Sequence, residues 1–281
     1  MKRRIIAVLM AVAMLFAFQT SDAQIIPPTG DSTHPVSAKG ARKAHKGWRL
    51  VWSDEFNDNE IDKSSWSRCP IMSAPWAIYM TDADSLCQEK DGVLSVHAIN
   101  RPEGCDDKRP FLTGGVETLG KRSLHFGRID VRARFDCAKG FWPAIWLMPD
   151  VEIGWPDGGE IDIMEHINCD PKIFQTAHSL HTWEWREPET QFGFVSKVDQ
   201  DVFNVYSVEI NYNTIEFYIN GVKTGSYERI KPDKPDQFPF SEHPFYLILS
   251  AQLGGDWAGE VEPKDLPVKM EIDYVRFYKR K

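Results

Sequence analysis

The 281-residue chain carries 33 Lys and Arg against 41 Asp and Glu, a formal net charge of −8, with 42% hydrophobic residues and five cysteines. An acidic chain without basic clusters lacks the Lys and Arg that phosphate contacts need, which excludes nucleic acid as a partner. Beyond Phe18 no stretch is long and apolar enough to span a membrane, and no cysteine spacing matches a zinc motif.

The chain opens with "MKRRIIAVLMAVAMLFAFQTSDAQ". Lys2, Arg3 and Arg4 form a positive start, Ile5 to Phe18 an apolar stretch too short to span comfortably, and Ser21-Asp22-Ala23 a small-residue cleavage site. Residues 1–23 therefore read as a secretory signal, and a secreted or periplasmic location is expected. No cysteine follows the apolar stretch, which argues against a lipid anchor. Residues 24–47, rich in Pro, Gly, Ser and Lys, read as a disordered linker. In an oxidising compartment the five cysteines predict one or two structural bridges plus a buried thiol, with the pairing left open.

From Trp48 to Lys281 the texture changes to short apolar or alternating runs broken by Gly, Pro, Asn and Asp. "FGRIDVRARF" sets Ile129, Val131, Ala133 and Phe135 on one face and Arg128, Asp130, Arg132 and Arg134 on the other. "TIEFYING" runs a strand into Asn220-Gly221, a hairpin signal. "FYLILSAQLGG" is apolar enough for a strand covered on both sides, and "KMEIDYVRFY" closes the chain as another strand. No amphipathic helix exceeds two turns. The expected fold is all-β, a sandwich or jelly roll in one domain, and a monomer.

"GGEIDIMEH", Gly158 to His166, breaks the parity of a strand. Glu160 and Asp162 share a face, whereas regular alternation sends Glu165 to the other. One extra residue at Ile163-Met164, a β-bulge, would return Glu165 to the face of the other two. Neighbouring carboxylates raise one another's pKa. Glycoside hydrolysis uses that effect, with one ionised and one protonated carboxyl across a sugar–sugar bond. Three other readings fit the short stretch alone: a solvated acidic edge strand, a metal site using the carboxylates with His166, or a non-catalytic carbohydrate-binding sandwich. A pure sugar binder has no use for three mutually repelling acids.

The surroundings are aromatic: Trp142 and Trp146 in "KGFWPAIWLMPD", Trp155 in "GWPDGG", then Trp183, Trp185 and Trp257. Indole faces stack on the C–H faces of sugars. Trp142, Trp155 and Trp257 adjoin Gly and Pro turn signals and are expected to contact substrate, while Trp146 fits the core. His178, in "QTAHSLHTW", serves either to donate to a bound sugar or as a structural histidine.

Together these segments resemble glycoside hydrolase family 16, the concanavalin-like β-jelly-roll sandwiches with a concave substrate cleft. "GEIDIME" has the family's bulged E-x-D-x-x-E form, and "LVWSDEFN", "GRIDVRARF", "WPAIWLMP", "FYINGV" and "IDYVRFY" follow in family order. The resemblance implies a retaining endo-β-glycosidase with Glu160 as nucleophile, Asp162 as assisting carboxylate and Glu165 as general acid/base. It implies no cofactor for catalysis and a structural calcium at Glu55, the backbone of Gly92, and Asp273. "GWPDGGEIDIME" is similar to the laminarinase branch, whereas "LTGGVETLGK" and "QLGGDWAGEVEPKDLP" look more like secreted gut Bacteroidetes members. Some of those are endo-β-galactosidases acting on poly-N-acetyllactosamine. That substrate is the leading expectation, with β-1,3(4)-glucan or an agar-type galactan as alternatives.

Overall fold

In the computed structural model the described residues are 23–30, 32–35, 45–185, 191–231, 234 and 236–281. The segment expected to be a secretory signal, residues 1–23, lies outside them but for Ala23.

Two nine-stranded sheets face each other. One runs in the order 24–25, 193–197, 172–178, 160–165, 141–149, 245–253, 115–117 and 67–68, with 123–124 also pairing with 245–253. The other runs 222–228, 214–219, 204–210, 127–135, 268–280, 93–100 and 87–90, with 48–54 and 111–113 attached to its interior strands. Among the described residues the one α-helix is Gly255–Ala258, and no helix is long and apolar enough to cross a membrane. The all-β jelly-roll reading agrees with this architecture.

The core lies between the sheets. Ile129, Val131, Ala133 and Phe135 enter it from one sheet and Ile145, Leu147, Ile161 and Ile163 from the other, all buried. The Phe245–Leu253 strand is buried at every position but Tyr246, as its apolar run predicts. Asn220 and Gly221 both take positive φ, and Ile219 pairs with Val222, closing the predicted two-residue hairpin.

The charged face of Gly127–Phe135 is not a solvated one. Arg128 pairs with Asp130 at 2.7 Å and Glu209 at 3.0 Å, and all three are buried. Part of the cover comes from the segment expected to be a disordered linker, a correction to the composition reading. Gln24–Ile25 adds a parallel edge strand beside Gly193–Lys197, and Ile26 is 1% exposed within the core. The His34 carbonyl accepts from Arg132, and His45 bonds Asp130 at 2.6 Å.

Cys137 and Cys169 form a disulfide; Cys69 and Cys87 are buried thiols, and Cys105 is partly exposed. The bridge ties the turn before the Phe141–Pro149 strand to the turn after the acidic strand.

Candidate active site

The acidic strand, Glu160–Glu165, begins at a glycine that only glycine can fill. Gly159 has φ +80°, and a Cβ there would sit 2.7 Å from the Phe240 ring. Along its neighbours the register is regular up to Asp162 and then slips. Asp162 faces Trp146 and Thr176, whereas Met164 faces Ile145 and Glu165 faces Ala144 and Phe174. One extra residue is thus accommodated at Ile163-Met164, where the parity argument requires it. Glu160 and Glu165 both line one cleft, and Asp162 lies between them almost wholly buried.

Each acid has its own setting. Trp155 Nε1 donates to Glu160 Oε2, and Trp142 Nε1 donates to Glu165 Oε1 at 2.9 Å. Burial pushes the Glu160 carboxyl up to about 8, with the charge of Asp162 adding to it. Burial also raises Asp162, to about 7, and with Glu160 beside it the two acids titrate as a pair. Glu165 is raised well above the carboxylate range, first by burial and then by the charges of Asp162 and Glu160. The site therefore separates a carboxyl that holds its proton from a pair that can release one. That is the division of labour between acid and nucleophile.

His178 Nε2 stands 3.2 Å from Asp162 Oδ2, and its ring lines the cleft. His166 is elsewhere: its two ring nitrogens meet the Lys172 and Asn168 carbonyls, and the ring packs on Phe135. The metal alternative built on His166 is therefore not assembled. Donor atoms of Glu160, Asp162 and His178 do lie within 4.8 Å of one another.

The cleft, about 440 Å³, is walled by Trp76, Trp142, Trp146, Trp155, Trp183 and Tyr246. Trp142 and Trp155, both expected to contact substrate, are on this wall. Trp257 is not on the wall: it stacks edge-on behind Trp142 at 5.3 Å and against Phe174 at 5.2 Å. Trp146 is buried, as its core assignment predicts, yet its edge reaches the cleft; its Nε1 donates to Ser250 Oγ at 3.1 Å. Trp183 packs on Trp155 at 4.8 Å, and Trp185 lies outside the described side chains.

Sequence reasoning missed several wall residues. Trp76 lies on a short 3-10 turn, 5.0 Å from Trp146, in a stretch with no periodic signal. Gln252 donates to Ser250 Oγ at 2.8 Å while its own buried Oε1 has no partner. Glu117 also lines the cleft. Gln175, buried on the neighbouring strand, donates Nε2 to the Ile163 carbonyl at 2.8 Å and so holds the bulge.

The positions matched to a structural calcium do not form an oxygen cage as arranged. Both Glu55 oxygens accept from Arg276, at 2.9 and 2.7 Å, and Asp273 Oδ2 accepts from Arg132. Guanidinium groups supply the positive charge, whereas calcium needs six to eight free oxygen ligands. Gly92 contributes a tight turn at φ +82°.

Comparison with known proteins follows the same lines. The chain is 35% identical over 236 residues to a keratan-sulfate endo-1,4-beta-galactosidase of Sphingobacterium multivorum, covering 83% of this chain and 55% of that protein. It thus spans about half the length of that relative. The laminarinase from Rhodothermus marinus superposes with a TM-score of 0.74 at 30% identity, covering 85% of this chain and all of that one. A solved chain reported with endo-acting O-glycanases of the human gut microbiota that initiate mucin breakdown superposes at 0.73, also at 30% identity, covering 83% of this chain and all of that one. The family model for Glycosyl hydrolases family 16 matches residues 79–276, around the bulged acidic strand, and this chain is a glycoside hydrolase belonging to that family.

Proposed function

We propose that the protein is a secreted, retaining endo-β-1,4-galactosidase that cleaves poly-N-acetyllactosamine chains of keratan or mucin-type glycans. The observation that carries the reaction type is the bulge. It sets Glu165, the most strongly proton-retaining acid of the three, on the same cleft face as the Glu160–Asp162 pair.

In this reading Glu160 attacks the anomeric carbon while Glu165 gives its proton to the departing glycosidic oxygen. The C–O bond breaks and a glycosyl ester forms on Glu160. Glu165, now ionised, takes a proton from water; that water attacks the same carbon, releasing the sugar with its configuration retained. Asp162, next to Glu160 on the same face, tunes the nucleophile's charge, and Trp142 and Trp155 hold the two glutamates through their indole N–H groups.

The substrate choice is supported by the names of two similar proteins, the keratan-sulfate galactosidase and the O-glycanase. The likeness to the Rhodothermus laminarinase favours β-1,3-glucan as the second reading. Product analysis on keratan, mucin O-glycans, laminarin, lichenan and agarose decides between them. Galactose-ended oligosaccharides from keratan or mucin alone are expected. Release from laminarin or lichenan makes the protein a glucanase. Glu160→Gln is expected to lower turnover by at least ~10³-fold with oligosaccharide binding kept. A Gln variant that hydrolyses at the wild-type rate removes Glu160 from the nucleophile role, and binding without turnover in the wild type points to a lectin.

A further inference from the structure

We infer that Glu117 is a specificity-determining residue that hydrogen-bonds a neutral, unsulfated sugar at the end of the cleft remote from the carboxylates. The inference rests on the glycosidase reading above and extends it to a part of the site that does no chemistry.

Glu117 closes a row of residues drawn straight across the concave sheet. Asp162 pairs with Trp146, Trp146 with Ile248, and Ile248 with Glu117. Three strand spacings of about 4.8 Å put Glu117 roughly 14 Å from the acidic strand. A chain laid across the strands meets Trp146, then Ile248, then Glu117, all of which line the cleft. Parity agrees: Val116 points into the main core, and Glu117 points the opposite way.

The carboxyl is an acceptor without a donor. It is 7% exposed, between Tyr246 and the buried Cys69, and no hydrogen-bond donor among the described residues reaches it. Lys121 is the nearby cation, but its Nζ is spent on the Lys63 and Trp66 carbonyls. A carboxyl at the cleft wall with no protein donor is open to a ligand that supplies donors. Sugar hydroxyls and an acetamido N–H are such donors, and the aromatic and apolar wall beside Glu117 suits the rest of a sugar ring.

Charge sets the other half of the selectivity. Among the described residues no Lys or Arg lines the cleft, whereas Glu117, Glu160 and Glu165 do. Burial pushes the Glu117 carboxyl up to about 7; once ionised it would repel a sulfate placed beside it, and the nearest counter-charge, Lys121, is already spent on backbone carbonyls.

The test measures kcat/KM for wild type and Glu117→Gln on short and long poly-N-acetyllactosamine oligosaccharides, each unsulfated and 6-O-sulfated. Glutamine keeps the shape but loses the charge and one acceptor oxygen. The ratio of kcat/KM for long over short unsulfated chains is expected to fall about tenfold, mainly through KM, equivalent to ~1.4 kcal/mol. The sulfated-over-unsulfated preference on long chains is expected to rise severalfold. A loss equal on short and long chains, or both ratios unmoved, overturns the assignment. Glu117→Ala, compared by the same ratios, guards against a poorly folded Gln variant, because misfolding lowers short and long substrates alike. Should wild type cleave laminari-oligosaccharides instead, the galactosidase reading fails, and the length ratio on that series still decides the role of Glu117. A wild type inert on both series overturns both.

Discussion

At the scale of single residues, the site works because burial does different things to similar side chains. Glu160, Asp162 and Glu165 are all raised, but Glu165 lies beside two other acids and receives only the Trp142 donor, so it keeps its proton longest. The active form carries one proton on the Glu160–Asp162 pair and one on Glu165. The kcat/KM profile is therefore a bell: it rises as the pair loses its first proton and falls as Glu165 loses its own. Glu165→Gln is expected to lower kcat/KM on glycans by about 10²–10⁴-fold and to abolish the alkaline limb. A variant that keeps the alkaline limb shows that another group is the acid. Stability moves the opposite way. A carboxyl whose folded pKa is raised favours folding fully only below its unfolded value of about 4.3, and that contribution is lost as pH rises toward the folded pKa. Thermal scans from pH 4 to 8 should show Glu165→Gln gaining on wild type as pH rises, by about 1 kcal/mol or more, or ~2–4 °C, at the upper end. The three acids were legible because spacing and parity are properties of sequence. Glu117 and Gln252 were not, since what marks them is a place on the cleft wall and, for Gln252, a buried oxygen without a partner, and only the assembled cleft reveals that.

At the scale of elements, the bulge is the feature on which the chemistry depends, and a single side chain on the adjacent strand holds it. Parity alone located the extra residue, because three acids on one face leave no other place for it. What holds it was hidden: Gln175 is twelve residues away and reads as an ordinary polar position. Its Nε2 satisfies the Ile163 carbonyl that the bulge leaves out of the ladder, and its Oε1 accepts from Thr224 on the opposite sheet. Gln175→Leu fills similar space and removes both bonds. The Ile163 carbonyl is then buried without a donor, a cost of about 1–3 kcal/mol. Because Glu165 follows the bulge by two residues, kcat should fall more than KM rises, and the alkaline limb of the pH profile should shift. Loss of stability with kcat and that limb unchanged would mean that the bulge needs no such support. Gln175→Glu, which keeps an acceptor for Thr224 but cannot donate while ionised, separates the two bonds.

At the scale of the whole molecule, composition misled at one place. Residues 24–47 carry few apolar side chains and so resemble a free linker, yet one isoleucine in a matching groove outweighs a polar average. Ile26 is buried in the core, its backbone N–H bonds the Lys197 carbonyl at 2.8 Å, and Asn220 Nδ2 holds the Pro27 carbonyl at 2.9 Å. Further along, the Ser32 carbonyl accepts from Phe203, and His45 caps the buried Asp130. The segment thus acts as a strap over a charged sheet face whose arginines and acids would otherwise meet water. A protein trimmed to 48–281, the boundary that composition suggests, should fold, since both sheets keep nearly all of their strands. It should nonetheless be less stable than 24–281. Burial of Ile26 alone contributes about 1.5–3 kcal/mol, and each lost hydrogen bond about 0.5–1.5 more. Paired urea melts of the two lengths should put the shorter at least ~2 kcal/mol lower, with Ile26→Ala in the longer protein reproducing much of the deficit. Equal midpoints for the two lengths would return the segment to the role of a passive linker. Ser32, His34 and His45 meet the sheet that does not carry the cleft, and Gln24–Ile25 joins the cleft sheet only at its far edge, beyond 193–197 and 172–178, so kcat/KM well below the melting temperature should be the same for both lengths.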